Sequence, residues 1–354
     1  MSDIVRKMAT VDRIIEIIPI ENADSICLYK VRGWKVVARI GEYKVGDLII
    51  YCEIDSFIPH NLAPFLSKDK EPHQYLGVEG ERLCTIKLRG VTSQGLLLPI
   101  SILDRWDSEE NTMYWGAQEW YEGDDVADIL NIQKYIPPVN AQLAGMAKGN
   151  FPHFIRKTDE ERIQNIKKYI QKAFDNQDEF EVSLKVDGSS CTIYNNNLEF
   201  GVCSRNIDLK LDQEGNAFVD IAYKTGLLTA LELLGRNLAV QGELMGPGIQ
   251  GNRENLKEHQ LYIFNIFDID AQEYLTPTER RIMLFKLKEK GYTGEHVPVI
   301  DVSFKLPTDD IDELLKIAEG TSINHSIREG LVFKRKDGKF SFKIINNQFL
   351  VKEK

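Results

Sequence analysis

The sequence predicts an α+β chain of two domains, and three observations lead there. Its 354 residues exceed one ordinary core, at about 100–200 residues per domain. Strand-like alternation between Gly-, Asn- and Asp-rich turns dominates, with helical periodicity confined to a few stretches. Composition also shifts near Tyr135, where adjacent prolines and glycines interrupt any pattern. A hydrophobic fraction of 43% excludes wholesale disorder.

Residues 1–134 read as a small β barrel or sandwich. Runs 31–40 and 47–54 are rich in β-branched and aromatic residues, and further short strands lie within 83–100, joined by Gly-bearing turns. The acidic, aromatic stretch 106–125 is expected to be a loop or insertion. Residues 135–150 form the expected linker. The second domain, 151–354, should open with a helix. Thr158 and Glu161 have capping-box spacing, and Ile163, Ile166, Ile170 and Phe174 recur at helical intervals. Residues 179–206 alternate through Asp-Gly and Asn-rich turns, as antiparallel strands do. LAVQGELMG, LYIFNIFDID, GLVFKR and FSFKII supply later strands, with a helix over 276–290 among them. Mixed antiparallel sheets flanked by helices result, not a doubly wound parallel sheet.

Charge and cysteine narrow the setting. The net charge is −10, which by itself argues against a nucleic-acid partner. Its placement says otherwise: residues 1–134 hold 15 Lys and Arg against 22 acids, whereas the rest holds 29 against 32. Lys334, Arg335, Lys336, Lys339 and Lys343 predict a local basic track. The five cysteines (Cys27, Cys52, Cys84, Cys191, Cys203) include no CxxC pair and the six histidines are scattered, which disfavours zinc. No apolar run of about 18 residues occurs and no secretory signal is visible, so the expectation is an intracellular protein, cytoplasmic or nuclear, with no membrane partner.

Chemistry concentrates in the second domain. Lys185-Val186-Asp187-Gly188-Ser189 ends an alternating strand with a lysine followed by an Asp-Gly turn, which alone fits an ordinary hairpin. Four further segments change its meaning: Ser204-Arg205-Asn206; Glu243 before a Gly-Pro-Gly turn; Phe267-Asp268 in a strand; and Glu329, Lys334 and Lys343 near the C-terminus.

Their order resembles that of the covalent nucleotidyltransferases, the polynucleotide ligases and messenger-RNA capping enzymes. KVDG is similar to motif I, SRN to Ia, GELMG to III, FDI to IIIa, EGLVFK to IV and FSFK to V. GELMGPGIQGN is similar to the editing-type RNA ligases, and the resemblance covers roughly residues 150–350. Motif V departs from the Lys-x-Lys of many RNA ligases, because only Lys343 is present in Lys343-Ile344-Ile345; an alternative register pairs Ser341 with Lys343. Only 11 residues follow Lys343, and the extra β domain lies before the catalytic one. The chain therefore looks like the class of ATP-dependent RNA ligases with an N-terminal OB-like β-barrel and a C-terminal nucleotidyltransferase (ATP-grasp-like ligase) domain.

That resemblance implies residue roles. Lys185 would attack the α-phosphorus of ATP, which requires a neutral amine and so a pKa lowered by burial or by cations such as Lys343 and a metal. Asp187, Glu243 and Glu329 would hold Mg²⁺ (or Mn²⁺), with Glu243 also near the ribose. Lys334 and Lys343 would meet the α-phosphate. Phe267 would stack on adenine, and Leu184 would offer backbone groups to the base edge. Arg205 and Asn206 would contact the RNA terminus. Arg156, Lys157 and Arg162 are candidates for pyrophosphate. The expected substrate is a 3′-OH and a 5′-phosphate RNA end at a nick, handled by a monomer. In the first domain Lys35, Arg39, Lys87 and Arg89 could bind RNA, with Trp34 and Tyr43 as stacking platforms. The alternatives are a capping-type guanylyltransferase and an inactive nucleic-acid-binding relative.

Overall fold

The computed structural model describes residues 6–68, 70–103, 119–136, 145–212 and 215–352, so most of the expected 106–125 loop lies outside the described residues. The chain forms two units, Ser2–Pro138 with Leu350–Lys354, and Val139–Phe349. No helix among the described residues is long and apolar enough to cross a membrane.

The first unit is built of short antiparallel strands. β1 (Ala9–Arg13), β5 (Leu48–Cys52) and β11 (Leu96–Pro99) pair around the central β5; β2 (Glu16–Pro19), β3 (Ile26–Val31) and β4 (Trp34–Arg39) form a meander. The run expected as one strand over 31–40 instead contains a hairpin turn, with Arg32 at φ 53° between β3 and β4. β6 (Ser56–Pro59), β7 (His73–Tyr75), β8 (Val78–Arg82) and β12 (Gln133–Lys134) form another sheet, and β9 (Ile86–Leu88) pairs with β10 (Val91–Ser93).

Trp34 and Tyr43 point inward in this unit. The Trp34 ring is fully buried and stacks on Tyr51 at 6.1 Å; Tyr43 packs edge-on to Tyr29 and donates to the Leu97 carbonyl. Strand alternation turns Trp34 to the core face, and Tyr43 packs inward from the loop between β4 and β5, so neither is an RNA-stacking platform.

The second unit has two sheets. The larger runs β13 (Ala147–Asn150), β18 (Ile207–Leu209), β17 (Glu199–Cys203), β16 (Ser189–Asn196), β19 (Leu238–Met245), β20 (Gln260–Asp268) and β21 (Glu273–Tyr274), with β22 (Glu295–His296) parallel to β20. β13 thus places residues 147–150, at the end of the expected linker, in a sheet. The smaller sheet runs β14 (Glu161–Arg162), β25 (Ser341–Ile345), β24 (Gly330–Arg335), β15 (Glu179–Lys185) and β23 (Val299–Lys305). One apolar core packs the larger sheet against helices Ala217–Lys224, Leu227–Leu234 and Pro277–Glu289. A second takes residues from both sheets, including Phe180, Phe333 and Phe342 on one and Met245, Tyr262 and Phe264 on the other. Phe333 and Phe342 stack at 4.7 Å with Phe180 edge-on to Phe342, a geometry that favours aromatic pairs.

The expected opening helix begins late. Glu161 and Arg162 are extended and pair parallel with Phe342 and Lys343, a short 3₁₀ turn covers Ile163–Asn165, and the α-helix is Lys167–Asp175. Ladder pairing overrides the capping box, while Ile163, Ile166 and Ile170 remain buried as their spacing foretold. The capping box that does form belongs to Thr276 and Glu279, at the start of Pro277–Glu289.

Candidate active site

Strand pairing brings the acids to Lys185. β15 runs antiparallel to β24 with Lys185 opposite Gly330, so Glu329 lies beside the lysine and accepts from its Nζ at 2.6 Å. Ser190 pairs with Glu243 across β16 and β19. Two glycines allow this closeness. A Cβ on Gly188 would stand 2.4 Å from the Leu244 carbonyl oxygen and 2.9 Å from Glu243 Cγ, and one on Gly330 would stand 2.2 Å from the Ile344 oxygen. The Gly188 N–H also donates to the Glu243 carboxylate.

In the metal-free site the balance of charge favours a protonated lysine. Burial acts to lower the Lys185 pKa, but attraction from Glu329, then Glu243, then the Glu329 hydrogen bond and Asp187, outweighs it and raises the pKa. Lys185 in the ligand-free protein is therefore an ammonium held among acids. Burial, partly offset by Lys185 and reinforced by Glu329 and Asp187, pushes Glu243 up to about 8.

Opposite these acids lies a group of cations. Lys343 on β25 registers with Val332 on one side and Arg162 on the other. Burial lowers its pKa against the pull of Asp159, and Arg162 and Lys185 lower it further. Asp159, which sequence reasoning missed, bridges two of the cations: Oδ1 lies 3.1 Å from Lys343 Nζ and Oδ2 lies 3.7 Å from Arg205 Nη2. Lys157 donates to Asn206 Oδ1 at 3.2 Å and is lowered by burial and then by Arg205. Arg156 offers its carbonyl to Gln241 and Tyr274. In β25 the position two residues beyond Lys343 is buried Ile345, so the neighbouring cation comes from Arg162 on the adjacent strand.

Lys334 is buried on β24 opposite Glu181. It donates to the Phe264 carbonyl at 2.6 Å and to Asn265 Oδ1 at 2.5 Å. Burial and the Arg280 guanidinium push it down to about 7. Arg280 in turn binds Glu181, which Arg281 also binds, and donates from Nε to His296 Nε2 at 3.0 Å.

Phe267 is not part of this constellation. Its ring is buried among Ile155, Tyr194, Cys203, Ala239 and Ile269, edge-on to Tyr274. The aromatic ring beside Lys334 is Phe264, at 5.7 Å from Nζ. A register shift in β20 between Ile263 and Asn265 hides this from simple alternation. The Leu184 N–H donates to the Pro298 carbonyl at 2.9 Å and is thus not open to a base.

Among the described residues, no three acid, His or Cys side chains are already gathered around one metal position. The acids nonetheless suit a hard divalent cation. Glu329 Oε2 is buried without a hydrogen-bond partner, and Glu243 is destabilised as an anion by its acidic neighbours. Lys185 provides the positive charge in this arrangement.

A strand-end lysine facing three acids, with lysines and arginines arrayed across from it, defines a nucleotidyltransferase-type site. A family model described as RNA ligase matches residues 178–345, and one described as an OB-fold domain matches residues 8–100. Solved structures of Naegleria gruberi RNA ligase are similar over nearly the whole chain. A variant with AMP and Mn has 43% identity and TM-score 0.87, covering 98% of each chain. The protein with PPi has 44% identity and TM-score 0.85, again covering 98% of each chain. A variant with ATP and Mn has 43% identity and TM-score 0.86, covering 97% of this chain and 98% of that one. None of the curated proteins matches. The chain belongs to the RNA ligase family, with an N-terminal OB-fold domain.

Proposed function

We propose that this ATP-dependent RNA ligase seals nicks between a 3′-OH and a 5′-phosphate, acting as a monomer. The observation that carries the reading is Lys185 held by Glu329, with Glu243 and Asp187 around it and Lys343, Arg162 and Arg205 opposite. The Naegleria relatives solved with ATP, AMP, Mn and PPi support ATP as the nucleotide substrate and a divalent metal as cofactor.

First, the neutral Lys185 amine attacks the α-phosphorus of ATP, pyrophosphate leaves, and a Lys185–AMP phosphoramidate forms. Mg²⁺ or Mn²⁺ held by Asp187, Glu243 and Glu329 would neutralise the carboxylates that keep Lys185 protonated and offset phosphate charge. Lys343 disfavours a second ammonium beside it, since its charge and that of Lys185 repel. Lys343 and Lys334 stabilise charge on the α-phosphate, and Phe264 offers the adenine an aromatic face. Arg162, Lys157 and Arg205 suit the departing pyrophosphate.

Next, an oxygen of the RNA 5′-phosphate attacks the adenylate phosphorus and Lys185 leaves, giving a 5′–5′ pyrophosphate-linked end. Arg205 and Asn206 hold this terminus. The 3′-OH then attacks the RNA phosphorus and AMP departs. Buried, free Cys27, Cys52, Cys191 and Cys203 suit a reducing compartment, cytoplasmic or nuclear.

Two assays test this reading. Incubation with α-labelled ATP and Mg²⁺ should yield an acid-labile protein–AMP adduct, and labelling by GTP alone would overturn it. A 5′-labelled nicked duplex should be sealed when the 3′-OH strand ends in ribose. Joining only of single-stranded ends would refute nick specificity, and a dimer mass in solution would refute the monomer.

A further inference from the structure

The segment leading into β14 contains three consecutive acids, Asp159, Glu160 and Glu161, at a site whose substrates are polyanions. Asp159 is directed at the cations. Its two carboxylate oxygens divide between Lys343 Nζ, at 3.1 Å, and Arg205 Nη2, at 3.7 Å. Lys343 lies 184 positions along the chain from Asp159. Glu160 adds to the same field, attracting Lys343, Lys334 and the buried Arg280. Glu161 turns away, accepting from the Arg162 N–H and Asn165 Nδ2.

A carboxylate between an ammonium and a guanidinium has the charge, and the two acceptor oxygens, of one edge of a phosphate. We infer that Asp159 is a resident phosphate mimic: it occupies the anion position between Lys343 and Arg205 in the ligand-free enzyme and is displaced by the incoming polyphosphate. This rests on the reading of Lys343 and Arg205 as phosphate-binding groups. Asp159 keeps the two cations paired while the site is free of ligand, and phosphate binding exchanges one anion for another. Its side chain is 40% exposed, so an exit toward solvent is open and the exchange requires no core rearrangement. The ligand's net gain is correspondingly reduced, which favours turnover over retention of pyrophosphate.

Calorimetric titration of inorganic pyrophosphate into the full chain carrying Lys185→Met, with and without Asp159→Asn, isolates binding from chemistry. Removing the competing charge should tighten pyrophosphate binding about two- to fivefold, the range set by one partly exposed ion pair. Asp159→Ala should act in the same direction, and unchanged or weaker binding in both variants would overturn the mimic. With Lys185 intact, single-turnover adenylylation by Asp159→Asn should show a lower half-saturating ATP concentration at an undiminished maximal rate. A reduced maximal rate with unchanged half-saturation would instead make Asp159 an orienting residue for Lys343. Lys343→Ala separates the two ideas. If it leaves ATP binding to the Lys185→Met chain intact, the phosphate-binding reading of Lys343 itself fails; if it weakens ATP binding while Asp159→Asn has no effect on ATP or pyrophosphate, only the mimic fails.

Discussion

Lys185 Nζ donates to Glu329 Oε1 at 2.6 Å across the pairing of β15 and β24. In the absence of ligand, the Lys185 amine is thus stabilised in its protonated, non-nucleophilic form. Among the charges that raise its pKa, Glu329 contributes most. Glu329→Gln should therefore shift the Lys185 titration to lower pH in metal-free protein, as followed by the nitrogen resonance of Nζ. An unmoved titration would mean that Glu243 and Asp187 suffice to hold the proton.

Phe264 and Phe267 should separate binding from stability. Phe264 lies beside Lys334, so Phe264→Ala should raise the half-saturating ATP concentration for adenylylation about tenfold, equivalent to about 1.4 kcal/mol. Phe267→Ala should instead destabilise the fold by about 3–5 kcal/mol in denaturant titration, while folded protein keeps its ATP dependence. The reverse pattern would return the adenine platform to Phe267.

His296 makes the second unit sensitive to acid. Burial, and then the Arg280 charge, push its imidazole from 6.5 down to about 3, and Nε2 accepts from Arg280 while Nδ1 faces the Val297 carbonyl. Between those pH values the unfolded chain binds the extra proton, so this group's contribution to stability is retained above about 6.5 and lost as pH falls toward about 3. His296→Gln can still accept from Arg280 but takes up no proton. The parent should lose on the order of a few kcal/mol more than the variant over that interval, measured by urea titrations at stepped pH. Equal losses would exclude His296 as the source.

Gly188→Ala is expected to impair folding and chemistry together. The new methyl must displace the Leu244 backbone and the Glu243 side chain, at a cost of about 1–3 kcal/mol. Melting temperature and adduct formation should both fall; a normal adduct yield at full stability would show that β16 and β19 can separate without harm.

Much of this architecture was readable from residue order because the motif-bearing strands alternate cleanly. The resemblance carried by KVDG, GELMG and EGLVFK implies one site for Lys185, Glu243 and Glu329, and strand pairing brings them together. The errors arose where long-range pairing overruled local pattern. The Thr158 capping box gives way to a ladder with Phe342 and Lys343, and the β20 register shift leaves Phe267 buried in a separate cluster with Phe264 beside Lys334. Trp34 and Tyr43 looked available as platforms because aromatic content does not specify which way a strand or loop side chain turns. Asp159 carried no motif. Its role depends on side chains far along the chain, and an acid before a helical pattern resembles an ordinary first-turn charge.

The parallel pairing of Glu161–Arg162 with Phe342–Lys343 also bears on biosynthesis. During translation, Arg162 emerges long before its partner, so the cationic side of the site cannot assemble until β25 has left the ribosome. A nascent chain halted after β24 would already contain Lys185, Glu243, Glu329 and Lys334, yet would lack Lys343. With Lys343 in the role proposed for it, adenylylation would wait for β25, and a chain stalled before that strand would not commit ATP.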